Sequence, residues 1–197
     1  MSTSYIPKSR LEAFSDGVLA IVITIMVLEM KVPHGTDLES LKSVLPVFLS
    51  YLLSFIYLGI YWNNHHHLLH ATKHINGKIM WANLHLLFWL SLVPFATGWL
   101  GENHGAPWPT ALYGFVLLMA AMAYTILQTF ILKIHGNNSP FAKTLGQDWK
   151  GKVSLICYTA AIVLVFFNQW ISDVLYILVA LMWFIPDQRM ERIIEQL

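Results

Sequence analysis

Apolar positions dominate the chain from the start: Gly17 to Leu28 is an almost unbroken apolar run, preceded at once by Arg10, Glu12, Ser15 and Asp16. Five further long apolar stretches follow. A helix needs about 20 mostly apolar residues to cross roughly 30 Å of hydrocarbon, because its backbone polar groups must be satisfied inside the segment. The pattern predicts helices over Arg10–Lys31, Val44–His70, Lys78–Leu100, Pro109–Ile134, Gly151–Asn168 and Trp170–Gln188, six in all. Asn168, Gln169, Ser172 and Asp173 separate the last two, which otherwise read as one long helix.

The placement of Lys and Arg decides between those readings, since positive residues gather in cytoplasmic loops. Six crossings with a cytoplasmic N-terminus put Lys8, Arg10, Lys73, Lys78, Lys133, Lys143, Lys150, Lys152, Arg189 and Arg192 on the inner side, and only Lys31 and Lys42 on the outer. A single final crossing would move Arg189 and Arg192 outside and weaken that split, so the hairpin is expected. The first segment has the basic start of a signal peptide, but no small-x-small cleavage site follows "VLEMKVP", and it is read as a span. The expected protein is all-α and polytopic, one six-helix domain over residues 1–197 with both termini cytoplasmic.

Composition agrees: 56% of the 197 residues are apolar and 12% charged, against about 25% charged in a soluble domain. A formal charge of +1 gives no field to recruit nucleic acid. The one cysteine, Cys157, excludes an intrachain disulfide and a Cys-rich metal site.

At about 100° per residue, Arg10, Phe14, Gly17, Ile21, Thr24, Ile25 and Leu28 share one arc of the first helix, apolar in the span apart from Thr24. Asp16 points nearly the opposite way. A carboxylate near membrane depth needs a partner, so Asp16 is expected buried and bonded to neighbouring helices. By periodicity alone the apolar arc is a packing surface.

The second helix ends in "YWNNHHHLLH", and His74 follows. His66, His70 and His74 share a face by i,i+4 spacing, a pattern that metal ligands also use. One cluster without HExxH is too little for a membrane di-iron or zinc centre, so no metal and no cofactor is expected. Hydrogen bonding is the preferred role: imidazoles of this cluster, His65, His66, His67, His70 and His74, can reach Ser15, Asp16 or Asn83 of adjacent helices. In the third helix Asn83, His85, Ser91 and Thr97 read as interhelical polar contacts, and Pro94 as a kink. Gly114, Ala120, Ala121 and Ala123 read as close packing, and Trp62, Trp81, Trp99, Trp108, Trp149 and Trp170 as interface anchors.

These residues bear a resemblance. "RLEAFSD" resembles the Arg-x-x-x-Phe-Ser-Asp signature opening the first helix in the bacterial branch of the transmembrane protein 175 potassium channels, whose animal members are endosomal and lysosomal. Trp62 with His65 and His66 is similar to the family's Trp-x-x-His-His, and "NLHLLFWLSLVPFAT" to its third helix. The resemblance implies a homotetramer of six-helix subunits around a central K⁺ pore lined by the first helix. It further implies a constriction of Ile21, Ile25 and Leu28, with Thr24 as the selectivity candidate. Arg10, Phe14, Ser15 and Asp16 would form the signature network, with Trp62, His65, His66 and Asn83 as polar support.

The expected activity is therefore K⁺ conduction, not catalysis, through a pore that closes by dewetting. No carbonyl-lined filter sequence such as TVGYG is present, so selectivity is expected to be weak to moderate. The rivals are a proton-coupled secondary transporter using Asp16 and the histidines, and a membrane metalloprotein at the His cluster.

Overall fold

The structure is a computed structural model and describes residues 8–70, 72, 74–135 and 148–184. Among these residues the chain is helical throughout: α1 Lys8–Leu28, α2 Leu38–Lys42, α3 Leu45–His70, α4 Gly77–Ser91, α5 Val93–Glu102, α6 Pro107–His135, α7 Trp149–Leu164 and α8 Gln169–Phe184. Lys73, Lys143, Arg189 and Arg192, which weigh in the expected orientation, lie outside the described residues.

Among the described residues, four segments are long and apolar enough to span a membrane: α1, α3, Gly77–Glu102 and Pro107–Ile134. The disturbance expected at Pro94 takes the form of an interruption at Leu92, after which the helix restarts with Pro94 in the first turn of α5. Proline lacks an N–H and its ring collides with the carbonyl four residues back, so it fits a helix start and not an interior. Leu92 N–H turns to Trp89 O at 3.2 Å, and Ala96 N–H opens the new helix on Leu92 O at 3.1 Å.

The final two helices are a hairpin, as the charge pattern requires. Ser172 donates to Ala161 O at 2.7 Å near the turn, and Trp183 Nε1 donates to Ser154 Oγ at 2.8 Å at the open end. Between them, Asn168 accepts from Trp170 N–H at 3.0 Å. α7 has 16 residues, about 24 Å of rise, and α8 is described over 16 residues up to Phe184. The expected end of the last helix at Gln188 lies outside the described residues.

Close packing follows the small residues. A Cβ on Gly101 would stand 2.8 Å from Val47 Cα, so α5 and α3 approach backbone to backbone there, and one on Gly114 would enter the Tyr176 ring. Ala120 and Ala123 are fully buried on α6. The six tryptophans expected at interfaces are all exposed, from 38% for Trp99 to 77% for Trp170, as anchors facing headgroups should be.

α1 packs against α3, α4 and α5. Leu11, Ser15, Leu19, Val22 and Met26 form its buried stripe, the i, i+4, i+7 spacing of one helix face. Its two ends are tied down as well. Lys8 Nζ donates to His70 O at 2.7 Å, neutralising the carbonyl end of α3. Beyond the other end, Lys31 Nζ donates to Glu102 at 2.6 Å, a bond to carboxylate that pushes the Lys31 amine up.

Candidate functional site: the first helix and its anchors

The polar centre of the bundle begins with Ser15 on the buried stripe of α1. Its hydroxyl donates back to Leu11 O at 2.8 Å, leaving lone pairs free. Asn83 Nδ2 on α4 donates to Ser15 Oγ at 2.9 Å, and Asn83 Oδ1 lies 2.6 Å from His65 Nε2 on α3. An amide oxygen only accepts, so the proton of the neutral imidazole belongs on Nε2. One asparagine thereby joins three helices, and Ser15, His65 and Asn83 are all at least 98% buried. Away from water each of these groups would otherwise be unpaired, which costs roughly 1–3 kcal/mol apiece.

Asp16 departs from its expectation. It is bonded to a neighbouring helix, accepting from Trp62 Nε1 at 3.0 Å, but it is exposed in the single chain. The Trp62 indole satisfies the carboxylate at an edge that the single chain leaves open, so the hydrogen bond does not require burial. Arg10 and Phe14 also stand apart from the Ser15 contacts: both are exposed, and Arg10 has no hydrogen-bond or ion-pair partner among the described residues. The signature residues therefore divide between two faces of one helix turn.

The histidines divide too. His65 turns inward to Asn83, whereas His66 stacks between Trp62 and His70, with ring centroids 6.0 Å from each. These flat stacks follow from the i,i+4 spacing of Trp62, His66 and His70 on α3. Among the described residues no three of His, Cys, Asp or Glu converge as a metal site.

On the opposite arc of α1, Ile21 is 58% exposed, Ile25 42% and Leu28 78%. Gly17 and Thr24 are exposed with them. The Thr24 hydroxyl lies 3.0 Å from both Ala20 O and Ile21 O and shares its proton with the helix backbone.

Sequence reasoning missed a second polar system. Tyr57 donates to Tyr176 O at 2.6 Å, Tyr176 donates to Thr110 O at 3.0 Å, and Ser54 bonds Thr97 at 2.7 Å and Tyr113 at 3.0 Å. Buried tyrosines seek such partners. The signal in the sequence was the placement of Tyr57, Tyr113 and Tyr176 well inside apolar spans, where interface anchoring cannot explain them.

Comparison with known proteins fits this geometry. Residues 10–94 match the family model described as endosomal/lysosomal potassium channel TMEM175. A potassium channel of Chryseobacterium sp. (strain P1-3) is 54% identical over 189 residues, covering 96% of this chain and 98% of that one. The chain belongs to the TMEM175 family. The crystal structure of a lysosomal potassium-selective channel TMEM175 homolog from Chamaesiphon minutus superposes with a TM-score of 0.76, at 29% identity over 89% of this chain and 95% of that one. The Gallus gallus endosomal/lysosomal proton channel TMEM175 is 43% identical over 79 residues, 34% of this chain and 16% of its own length. Family membership makes this chain an integral membrane protein of a channel family and not an enzyme.

Proposed function

We propose that this chain is a potassium-permeable, cation-selective channel: a homotetramer of six-span subunits in a bacterial inner membrane, both termini cytoplasmic, with α1 lining the pore. The observation that carries the reading is the two-sidedness of α1. One stripe is locked into the bundle through Ser15 and Asn83, while Ile21, Thr24, Ile25 and Leu28 are left uncovered in the single chain. The likeness to a Chryseobacterium potassium channel and to a potassium-selective channel structure favours an ion path over lipid as what meets this arc.

In this reading Ile21, Ile25 and Leu28 from four copies form apolar rings. A narrow apolar ring sheds water and blocks ions, and a small widening rewets it. Thr24, one turn from Ile21 along the arc, offers hydroxyl lone pairs that replace part of the ion's hydration shell. Arg10 and Phe14, exposed at the foot of the same arc, meet neighbouring copies. α7 and α8 complete the six crossings, with Lys150 and Lys152 snorkelling to the headgroups.

The name of the Gallus gallus relative gives protons a specific claim as a second permeant ion. Reversal potentials of purified protein in planar bilayers separate the two. Under asymmetric K⁺ and Na⁺ at equal pH, the expected shift is toward the K⁺ equilibrium potential. A reversal that follows only an imposed pH gradient would replace K⁺ by H⁺, and the absence of any cation current would end the channel reading.

A further inference from the structure

Away from α1, a partly open cavity of about 40 Å³ lies between α3, α6, α7 and α8. Five aromatic side chains, Tyr57, Tyr61, Tyr124, Tyr158 and Trp183, supply much of its wall, and Asp148 is the one charged residue that lines it. Tyr61 and Tyr124 meet edge to face across α3 and α6, with ring centroids 6.2 Å apart.

Asp148 sits immediately before α7, where its Oδ1 accepts from Gly151 N–H at 2.8 Å. A Cβ on Gly151 would run into the other carboxylate oxygen, Oδ2, so the glycine makes room for the carboxylate to fold over the helix start. The next residue, Trp149, is 53% exposed, and the apolar part of α7 begins after Lys152. Asp148 therefore lies at the boundary between apolar core and headgroups, with the aromatic wall on its apolar side.

Aromatic faces are negative, and they hold cations best where water is scarce. A carboxylate at the rim adds the countercharge. A cation of this chain already rests on part of the wall: Lys150 Nζ is 5.7 Å from the centroid of the Trp183 ring. The volume accommodates roughly three water-sized groups, which suits an ammonium on a one- or two-carbon stem and is tight for a trimethylammonium.

We propose that this cavity is a binding site for a small primary ammonium group, held by the Tyr61 and Tyr124 faces and the Asp148 carboxylate. Two sources carry that chemistry: the ethanolamine headgroup of a phospholipid and a free short-chain amine. The site is separate from the α1 arc and stands whether or not that arc lines a pore.

The test uses the full-length protein. Native mass spectrometry after incubation with mixed phosphatidylethanolamine and phosphatidylcholine micelles reads the lipid source. Thermal unfolding in detergent with added ethanolammonium chloride, against an equal concentration of choline chloride, reads the free amine. Asp148→Asn keeps the oxygen that caps α7 and removes only the charge, and Tyr61→Phe keeps the ring face and removes the hydroxyl. A lipid source predicts at least about fivefold retention of the ethanolamine lipid over the choline lipid, lost in Asp148→Asn and kept in Tyr61→Phe. A free-amine source predicts stabilisation by ethanolammonium over choline with the same dependence on Asp148, and no lipid preference. No ammonium preference in either arm, or a preference unchanged in Asp148→Asn, overturns the proposal.

Discussion

Ile21→Asn is expected to raise the cation current of the purified channel by about tenfold or more, a barrier lowered by about 1.4 kcal/mol or more, and to pull the reversal potential toward zero under asymmetric K⁺ and Na⁺. Ile21 is exposed on the open arc of α1 and has no structural bond to lose. Its replacement puts an amide where a dry ring excluded water, so the constriction stays wetted. Ile21→Leu, which keeps the side chain apolar and of equal volume, should leave the current near the wild-type level. Single-channel recording in planar bilayers checks both, and equal currents from Asn and Leu variants would remove Ile21 from the pore.

The second large effect falls on stability. Asn83→Ala leaves a buried His65 N–H unpaired and takes the donor from Ser15. The expected cost is about 2 kcal/mol, roughly 4–8 °C in the unfolding midpoint of a chain this size. Removing both partners distinguishes this polar link from simple packing. In Asn83→Leu combined with His65→Leu no buried donor remains, and the pair should recover part of the loss. Thermal unfolding in detergent reads the comparison, and a double variant no better than Asn83→Ala would mean that volume, not hydrogen bonding, sets the cost.

Those two residues also show what the sequence makes legible. The 100° steps group Ile21, Thr24, Ile25 and Leu28 on one arc of α1, as found, but periodicity alone makes that arc a packing surface, whereas in the single chain it is exposed and Leu19, Val22 and Met26 belong to the buried stripe. The spans are similarly plain, with α3 expected over Val44–His70 and found over Leu45–His70. Periodicity works here because a membrane helix must hydrogen-bond to itself, whatever surrounds it.

Other features need the third dimension. Asp16 looked buried because it lies beside an apolar run, yet Trp62 reaches it at an exposed edge, and no spacing within α1 could reveal a partner 46 positions away. The signature residues were read as one network, but a single helical turn points Ser15 inward and Phe14 outward. Pro94 announced a disturbance, and only the backbone shows that it becomes a break at Leu92. The tyrosine system escaped for a related reason: Tyr57 and Tyr176 are 119 positions apart, and their pairing depends on how α3 and α8 come together.

The central claim is that the open arc of α1 faces an ion path, and cysteine accessibility during conduction tests it most directly. In a Cys157→Ser background, single cysteines are introduced at Ile21, Thr24 and Leu28 on the arc and at Leu19, Val22 and Met26 on the buried stripe. A charged, thiol-specific reagent is then applied while current is recorded. Current is expected to fall on modification at the three arc positions and to be unchanged at the three stripe positions. Block confined to the stripe, or no block at any of the six, would contradict it.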